Sequence, residues 1–248
     1  MVGKLLMRGM LAGVVAGLLT FSFARIAGEP QVNAAISFEE KTHEASGEAP
    51  EPELVSRATQ AGAGLFTGVI VYSAALGGLF SLVFAFANGR AGKISPRALS
   101  ACLALAAFGT LVLVPTLKYP ANPPSVGDPE TIAQRTGLYF LMIAISIVTL
   151  VFSLKVRRRL VARWGQWNGS IAAAAVFIVV IAAIQIALPT INEVPAAFPA
   201  TLLWKFRVTA LGMQAILWTV VGLLFGALAE RLQRSARGAG APGKSAYL

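Results

Sequence analysis

Four side chains in one short stretch carry most of the coordinating chemistry in this sequence. Glu39, Glu40, His43 and Glu44 stand at i, i+3 and i+4 spacing, so a helical turn or two over residues 36–45 would set them on one face. One imidazole with two or three carboxylates suits a hard-to-borderline divalent ion such as Co²⁺, Ni²⁺, Zn²⁺ or Mn²⁺, without discriminating among them. The competing reading is a solvated, disordered stretch, because segments rich in Glu, Pro and Ala bury too little apolar surface to fold. Even then, a patch of one charge sign gathers counter-ions near it. Catalysis is not expected. His43 is the only histidine, so no Ser/His/Asp set or H-E-x-x-H zinc motif can be assembled. The single cysteine, Cys102, excludes an intramolecular disulfide and a cysteine-based metal cluster.

Two further groups have both a chemical and a structural reading. The segment Lys118-Tyr119-Pro120-Ala121-Asn122-Pro123-Pro124-Ser125-Val126-Gly127-Asp128-Pro129-Glu130 packs prolines densely enough to predict a stiff, extended cap. Asp128 before Pro129 and Glu130 resembles a helix start. As function, Asp128, Glu130 and Glu193 would be cation ligands of an outer vestibule. As structure, Asp128 caps a helix and Arg135 anchors at headgroups. The other group is intramembrane: Gln185, Gln214, Thr20, Ser22 and Ser146 are the main polar residues inside apolar runs, with no Asp, Glu or His mid-span. Proton-coupled pumps place an ionisable group there, and its absence argues against one.

The elements that must position these residues are membrane spans. The chain has 248 residues, 56% of them hydrophobic and 13% charged, with a mean hydropathy of +0.70. Six apolar segments, near 9–27, 61–88, 98–117, 136–154, 171–188 and 208–229, approach the ~20 residues that cross ~30 Å of hydrocarbon. The expected fold is all-α: a polytopic membrane protein of six transmembrane helices forming a single domain over 1–230, with a disordered basic cytoplasmic tail over 231–248. Lys4, Arg8 and the small residues near Ser22-Phe23-Ala24 resemble a signal peptide, but the apolar run is longer than a signal core, and retention as a span is expected.

Charge orients the spans. The N-terminus, the connections 89–97 and 155–170, and the tail hold fourteen of the twenty-one basic residues and one acid, Glu230. The opposite side receives ten acids and seven bases, seven of the acids between residues 28 and 57. By the positive-inside bias both termini are cytoplasmic and the acidic loop 28–60 faces outward. The net charge of +10 is thus topological, and no basic stripe with interleaved aromatics points to nucleic acid.

A weak internal repeat overlies this pattern. Val114-Pro115-Thr116-Leu117 parallels Leu188-Pro189-Thr190-Ile191, and Arg57-Ala58-Thr59 with Gly62 parallels Arg207-Val208-Thr209 with Gly212. The matches point to three parallel two-helix repeats; Pro and Arg recurring by chance at membrane boundaries is the alternative. Glycines four apart at Gly9/Gly13/Gly17, Gly64/Gly68 and Gly222/Gly226 suit close helix approach, either within the chain or across a homo-oligomer.

With Phe38-Glu39-Glu40 in an outer loop closing on Val55-Ser56-Arg57, and the cap Lys118-Tyr119-Pro120-Ala121-Asn122-Pro123-Pro124, the chain resembles the CbtA family of cobalt transporter subunits over most of its length. The resemblance implies a multi-span component of bacterial cobalt uptake in the inner membrane, associated with cobalamin synthesis, with a small single-span, histidine-bearing partner (CbtB-like). Family members often carry more histidines in the acidic loop than His43 alone, which shifts metal capture to the partner or to few ligands plus water. The resulting expectation is a cobalt (or broader divalent cation) uptake protein in the bilayer, with no prosthetic group and Co²⁺ as the transported ion. His43, Glu39, Glu40 and Glu44 would collect cation, Asp128, Glu130 and Glu193 would line the vestibule, and Gln185, Gln214, Arg135 and Arg207 would line the path. The alternative is a non-transporting component that scaffolds a partner through its glycine faces.

Overall fold

In the computed structural model, residues 2–47 and 55–239 are described, and among them every regular element is helical. Helix α1, Val2–Ser46, passes through a π turn at Ala24–Gly28 and does not stop where the apolar run does. Its polar half, Glu29–Ser46, is helical rather than a loose loop. The local reasons are plain. Pro30 falls in the first turn after the π segment, where its missing N–H disturbs least, and nothing afterwards breaks the helix before Gly47. That glycine takes φ 72° and caps the end, its amide bonding the Glu44 and His43 carbonyls. Glu48, Glu51 and Glu53 lie outside the described residues.

Helix α2 is Arg57–Ala87, opened by Ser56 accepting from the Thr59 amide and carrying a π turn at Gln60–Gly64. Helix α3 is Pro96–Lys118, with a π turn at Phe108–Leu113. Helix α4, Pro129–Ala187, begins as a 3-10 turn capped by the Asp128 carboxylate, and α5 is Ala200–Ala239. The basic stretch 231–239, expected to be disordered, therefore continues a helix; residues 240–248 lie outside the described ones.

Among the described residues five helices are long and apolar enough to cross a membrane, where the sequence predicts six separate spans. The difference lies in α4, which contains both 136–154 and most of 171–188. Its basic middle, 155–163, is mostly Lys, Arg, Leu and Ala, all good helix formers, so the helix runs on where a loop is expected. Only Gly165 leaves helical geometry, at φ 77° and ψ 171°. The chain doubles back there: a Cβ on Gly169 would overlap the Val161 backbone, Arg157 Nε donates to Ser170 Oγ at 2.9 Å, and Met142 shares a buried cluster with Ile181.

Two units partition the chain. The first comprises Met1–Ile26, Glu53–Ala106 and Gly212–Leu248, and the second Ala27–Pro52 and Ala107–Leu211. In the first, backbones meet at small residues. A Cβ on Gly9 or Gly13 would overlap the carbonyl of Gly77 or Ser73, and one on Gly77 would overlap that of Gly9. Gly222 and Gly226 of α5 likewise sit against Ala104 and Ser100 of α3. These glycine faces serve packing within the chain, while Gly68 has nothing within 4 Å. At one end of the unit Arg8 donates to the Leu228 carbonyl, Ser100 to the Gly222 carbonyl, and Arg97 and Arg234 both pair with Glu230.

The second unit is joined differently. Pro115 has no N–H, so the Leu111 carbonyl four residues earlier loses its helical donor, and the adjoining π turn shifts the bonding pattern further. Side chains from α4 use the opened region: Tyr139 OH donates to Leu111 O at 3.3 Å, Ser146 Oγ to Thr110 O at 2.8 Å, and Gln185 Nε2 to Val114 O at 3.0 Å. The two repeat matches fall at different places in the elements. Arg57 opens α2 whereas Arg207 lies well inside α5, and Pro115 is helical whereas Pro189 follows the end of α4.

Candidate functional site

The polar half of α1 and the proline-rich cap belong to the second unit and share a small core. Ala35, Val126 and Phe198 are buried together with Phe38 packed against them, and the Phe38 and Phe198 rings meet edge-on at 5.1 Å. The acidic helix is thereby docked on apolar contacts, with its charged positions directed elsewhere. Glu39 and His43 are half-buried, while Glu40 and Glu44 are exposed. Their helical register brings Glu39, Glu40 and Glu44 within one turn of His43. Among the described residues, however, no group of three or more His, Cys, Asp or Glu side chains is arranged to hold a metal ion.

The cap is tied down by its own polar groups. Lys118 Nζ donates to Thr190 Oγ1 at 2.9 Å, and Tyr119 OH to the Pro189 carbonyl at 2.9 Å. Burial pushes the Tyr119 phenol above its ordinary pKa, which keeps it a donor. Glu193 Oε2 accepts from the Asp128 amide at 2.8 Å and lies 3.4 Å from Arg135 Nε. The Thr131 hydroxyl, the Asp128 amide and the Arg135 guanidinium hold the Glu193 carboxyl below its usual range, against a smaller opposing effect of burial. Arg135 also donates to the Asp128 carbonyl at 3.1 Å and lies flat on Gly127, where a side chain would displace it. Gly127 at φ 120° and Ser125 at φ 68° make the bend that allows this. Arg207 clamps the other half, donating to Ala121 O at 3.3 Å and to Asn122 Oδ1 at 2.9 Å.

The residues expected to line a path therefore separate by environment. Arg135 and Arg207 are spoken for by the cap. Asp128 Oδ1 accepts from the Glu130 amide at 2.9 Å as a helix cap, while Glu130 itself is exposed. Gln185 is bound to Val114 O. Gln214 differs, because its Oε1 is buried with no hydrogen-bond partner. Thr20 Oγ1, Ser73 Oγ and Trp218 Nε1, all in the first unit, share that condition. Ser22, by contrast, is exposed and bonds its own helix at Leu18 O.

Sequence reasoning overlooked Ser73 and Trp218. The only trace of Ser73 is its place on the Ser73/Gly77/Ser81 ridge, and Trp218 sits in the apolar stripe Leu217/Trp218/Val221/Phe225. It also overlooked Glu29, counted with the loop but buried at 7% exposure.

Against known proteins, a family model described as "Probable cobalt transporter subunit (CbtA)" matches residues 2–230. No curated protein and no solved structure matches the chain.

Proposed function

As the chain belongs to the CbtA family of probable cobalt transporter subunits, we propose that it is the membrane component through which a bacterial cobalt-uptake system captures Co²⁺ outside the cell and passes it inward. The observation that carries this reading is the match across residues 2–230 to a transporter-subunit family, in a chain whose described residues include five helices of membrane-crossing length. The family is one of transport rather than of enzymes. The protein resides in the inner membrane with both termini cytoplasmic. Each arm of α4 makes one crossing, which gives six in all and puts the basic bend at Gly165 on the same side as Lys4 and Arg8.

Capture is electrostatic in this reading. Glu39, Glu40, His43 and Glu44 raise the local concentration of divalent cations without closing around one, and Glu130 adds to the same field. Asp128 and Glu193 contribute by keeping the cap in shape, as do Arg135 and Arg207. Gln214 is the in-membrane polar step, whereas Gln185 is a packing group. A small single-span, histidine-bearing partner protein supplies the tight metal ligands that this chain lacks among its described residues.

Radioactive cobalt uptake tests the proposal in cells carrying this chain and its partner. Replacing Glu39, Glu40, Glu44 and Glu130 by Gln, with His43→Asn, is expected to cut uptake several-fold at limiting cobalt and little at saturating cobalt. Unchanged uptake at limiting cobalt sinks the capture role. A chain that passes no Co²⁺ into vesicles, alone or with its partner, is a scaffold instead.

A further inference from the structure

Fourteen of the basic residues fall on one side of the topology that the charges define, but they are not equally occupied. In the first unit Arg97 and Arg234 share Glu230, and Arg8 donates to the Leu228 carbonyl. In the second, the stretch 155–163 holds five cations, and no Asp or Glu occurs between residues 131 and 192. Of the five, Arg157 is engaged across the bend, donating from Nε to Ser170 Oγ. Lys155, Arg158, Arg159 and Arg163 are exposed, and none has an ion-pair partner among the described residues. Helix geometry puts these four together. Arg157 and Val161 face the returning arm of α4, since one bonds Ser170 and the other lies against Gly169. At roughly 100° per residue, Lys155, Arg159 and Arg163 fall on the opposite ridge, with Arg158 beside them. Like charges at i, i+4 spacing destabilise a helix, and no carboxylate in the hairpin relieves them. The row also has a definite level. Val161 stands against Gly169, so in antiparallel arms Arg159 is level with Ile171, where the second apolar run begins, and Arg163 with Trp167. Lys155 is one turn deeper and carries its ammonium outward on a long stem. Beside the bend, Trp164 and Trp167 are 50% and 78% exposed.

We propose that Lys155, Arg158, Arg159 and Arg163, flanked by Trp164 and Trp167, form a binding surface for the phosphate groups of anionic lipids. Charge and level together select this occupant. Guanidinium groups pair in a fork with phosphate oxygens, and each cation beside a span adds to the attraction of an anionic leaflet. The row spans about 12 Å along the helix, at the polar edge of an apolar run, where headgroups lie. Exposed indoles belong at the same boundary, with one side apolar and the other wet. A soluble acidic protein would answer the charges but not their place at the start of an apolar run. The surface rests on α4 lying in a membrane and is independent of which ion the protein carries.

The test uses the two indoles as reporters. The full-length protein is placed in phosphatidylcholine nanodiscs containing rising fractions of either phosphatidylglycerol or phosphatidylcholine, brominated near the top of the acyl chains. Emission of the parent less that of Trp164→Phe/Trp167→Phe isolates the pair. Half-quenching is expected at an about fivefold lower fraction of the anionic lipid, the equivalent of the ~1 kcal/mol that one cation gains at an anionic surface. In Lys155→Gln/Arg158→Gln/Arg159→Gln/Arg163→Gln the two lipids should quench alike. Should that variant fail to insert, Arg159→Gln/Arg163→Gln should move the same way by a smaller amount. Equal quenching by the two lipids in the parent overturns the proposal and leaves the row to an acidic protein. A preference that survives in the variants overturns it as well, by placing the lipid elsewhere. Loss of the preference on adding inorganic pyrophosphate at constant ionic strength assigns the cations to a soluble phosphate and defeats the lipid. Cobalt uptake is read in none of these arms, so failure here leaves the transport proposal standing.

Discussion

The two units hold their helices together with different emphasis, although the first also has interhelical side-chain bonds from Arg8 to the Leu228 carbonyl and from Ser100 to the Gly222 carbonyl. In the second, polar side chains on α4 bond carbonyls in the region opened by Pro115 and the π turn of α3, so Tyr139, Ser146 and Gln185 each have a stated acceptor. Ser153 Oγ is an exception along that helix, as is Arg135 Nε, which only faces Glu193 across 3.4 Å. In the first, α1 and α2 meet backbone to backbone at glycines, and Thr20, Ser73, Gln214 and Trp218 are left unbonded behind the contact. Residue types that look equivalent in sequence, a glutamine or serine inside an apolar run, thus behave differently. Where a neighbouring helix exposes a carbonyl, the side chain is structural. Where none is within reach, it is left without a partner.

Substitution at the glycine contact should have the largest effect. Gly13→Leu places a branched side chain into the Ser73 carbonyl, which is backbone and cannot rotate away. The loss of stability should reach the upper end of the roughly 1–3 kcal/mol typical of overpacking, or exceed it. Gly68→Leu, with nothing within 4 Å, is the control and should be nearly silent. Thermal unfolding in detergent reads both, and equal midpoints would mean that the first unit is not held by this contact.

The serines come next. Ser146→Ala removes the interhelical bond to the Thr110 carbonyl and should cost about 0.6 kcal/mol, at most ~1.7, the range measured for such bonds in membranes. Ser73→Ala removes a hydroxyl that bonds nothing and should be neutral or slightly stabilising. A Ser73→Ala protein as weakened as Ser146→Ala would erase the distinction between the units. The glutamines carry the same contrast into function: Gln185→Leu should lower stability by about 1 kcal/mol and spare uptake, while Gln214→Leu should spare stability and reduce uptake several-fold. Loss of uptake in both variants would mean that the path is not confined to the first unit.

How far the sequence reveals this arrangement depends on the kind of residue. Long apolar runs and their polar ends are legible because burial in lipid demands them, and the all-helical class follows. The fate of 28–46 is not legible, because composition measures the drive to bury and Ala35 with Phe38 supply just enough of it to dock an otherwise soluble helix. The bend at Gly165 is hidden by flanking arginines that read as a loop yet favour helix. Asp128 can be read as a cap from its place before Pro129. Glu193 cannot be read as its neighbour's partner, because the Asp128 amide and Arg135 reach it from 58 residues away and more along the chain. For the unpaired set, sequence marks Thr20 and Gln214 as polar but cannot say whether a carbonyl waits opposite.

The smallest effect expected is at Glu193, and it concerns the fully bonded side of the contrast. Its carboxyl is held below the usual range by the Thr131 hydroxyl, the Asp128 amide and Arg135, so the folded cap favours the ionised form. For a carboxylate with a depressed folded pKa, the stabilisation is complete above the ordinary value of 4.5 and is lost as pH falls through the lower folded value. The cap should therefore be insensitive to pH near neutrality and loosen only in acid. Glu193→Gln keeps an acceptor for the Asp128 amide but cannot ionise, so its stability should fall less steeply with acid than that of the parent. At neutral pH the variant should be only slightly the less stable of the two, since the ion pair is screened by solvent. Thermal midpoints of the two proteins, measured from neutral pH into acid, should converge at the acid end. Curves that stay parallel would place the cap's hold in Arg207 and the apolar contacts of Val126 and Phe198, and leave the Arg135–Glu193 pair without consequence.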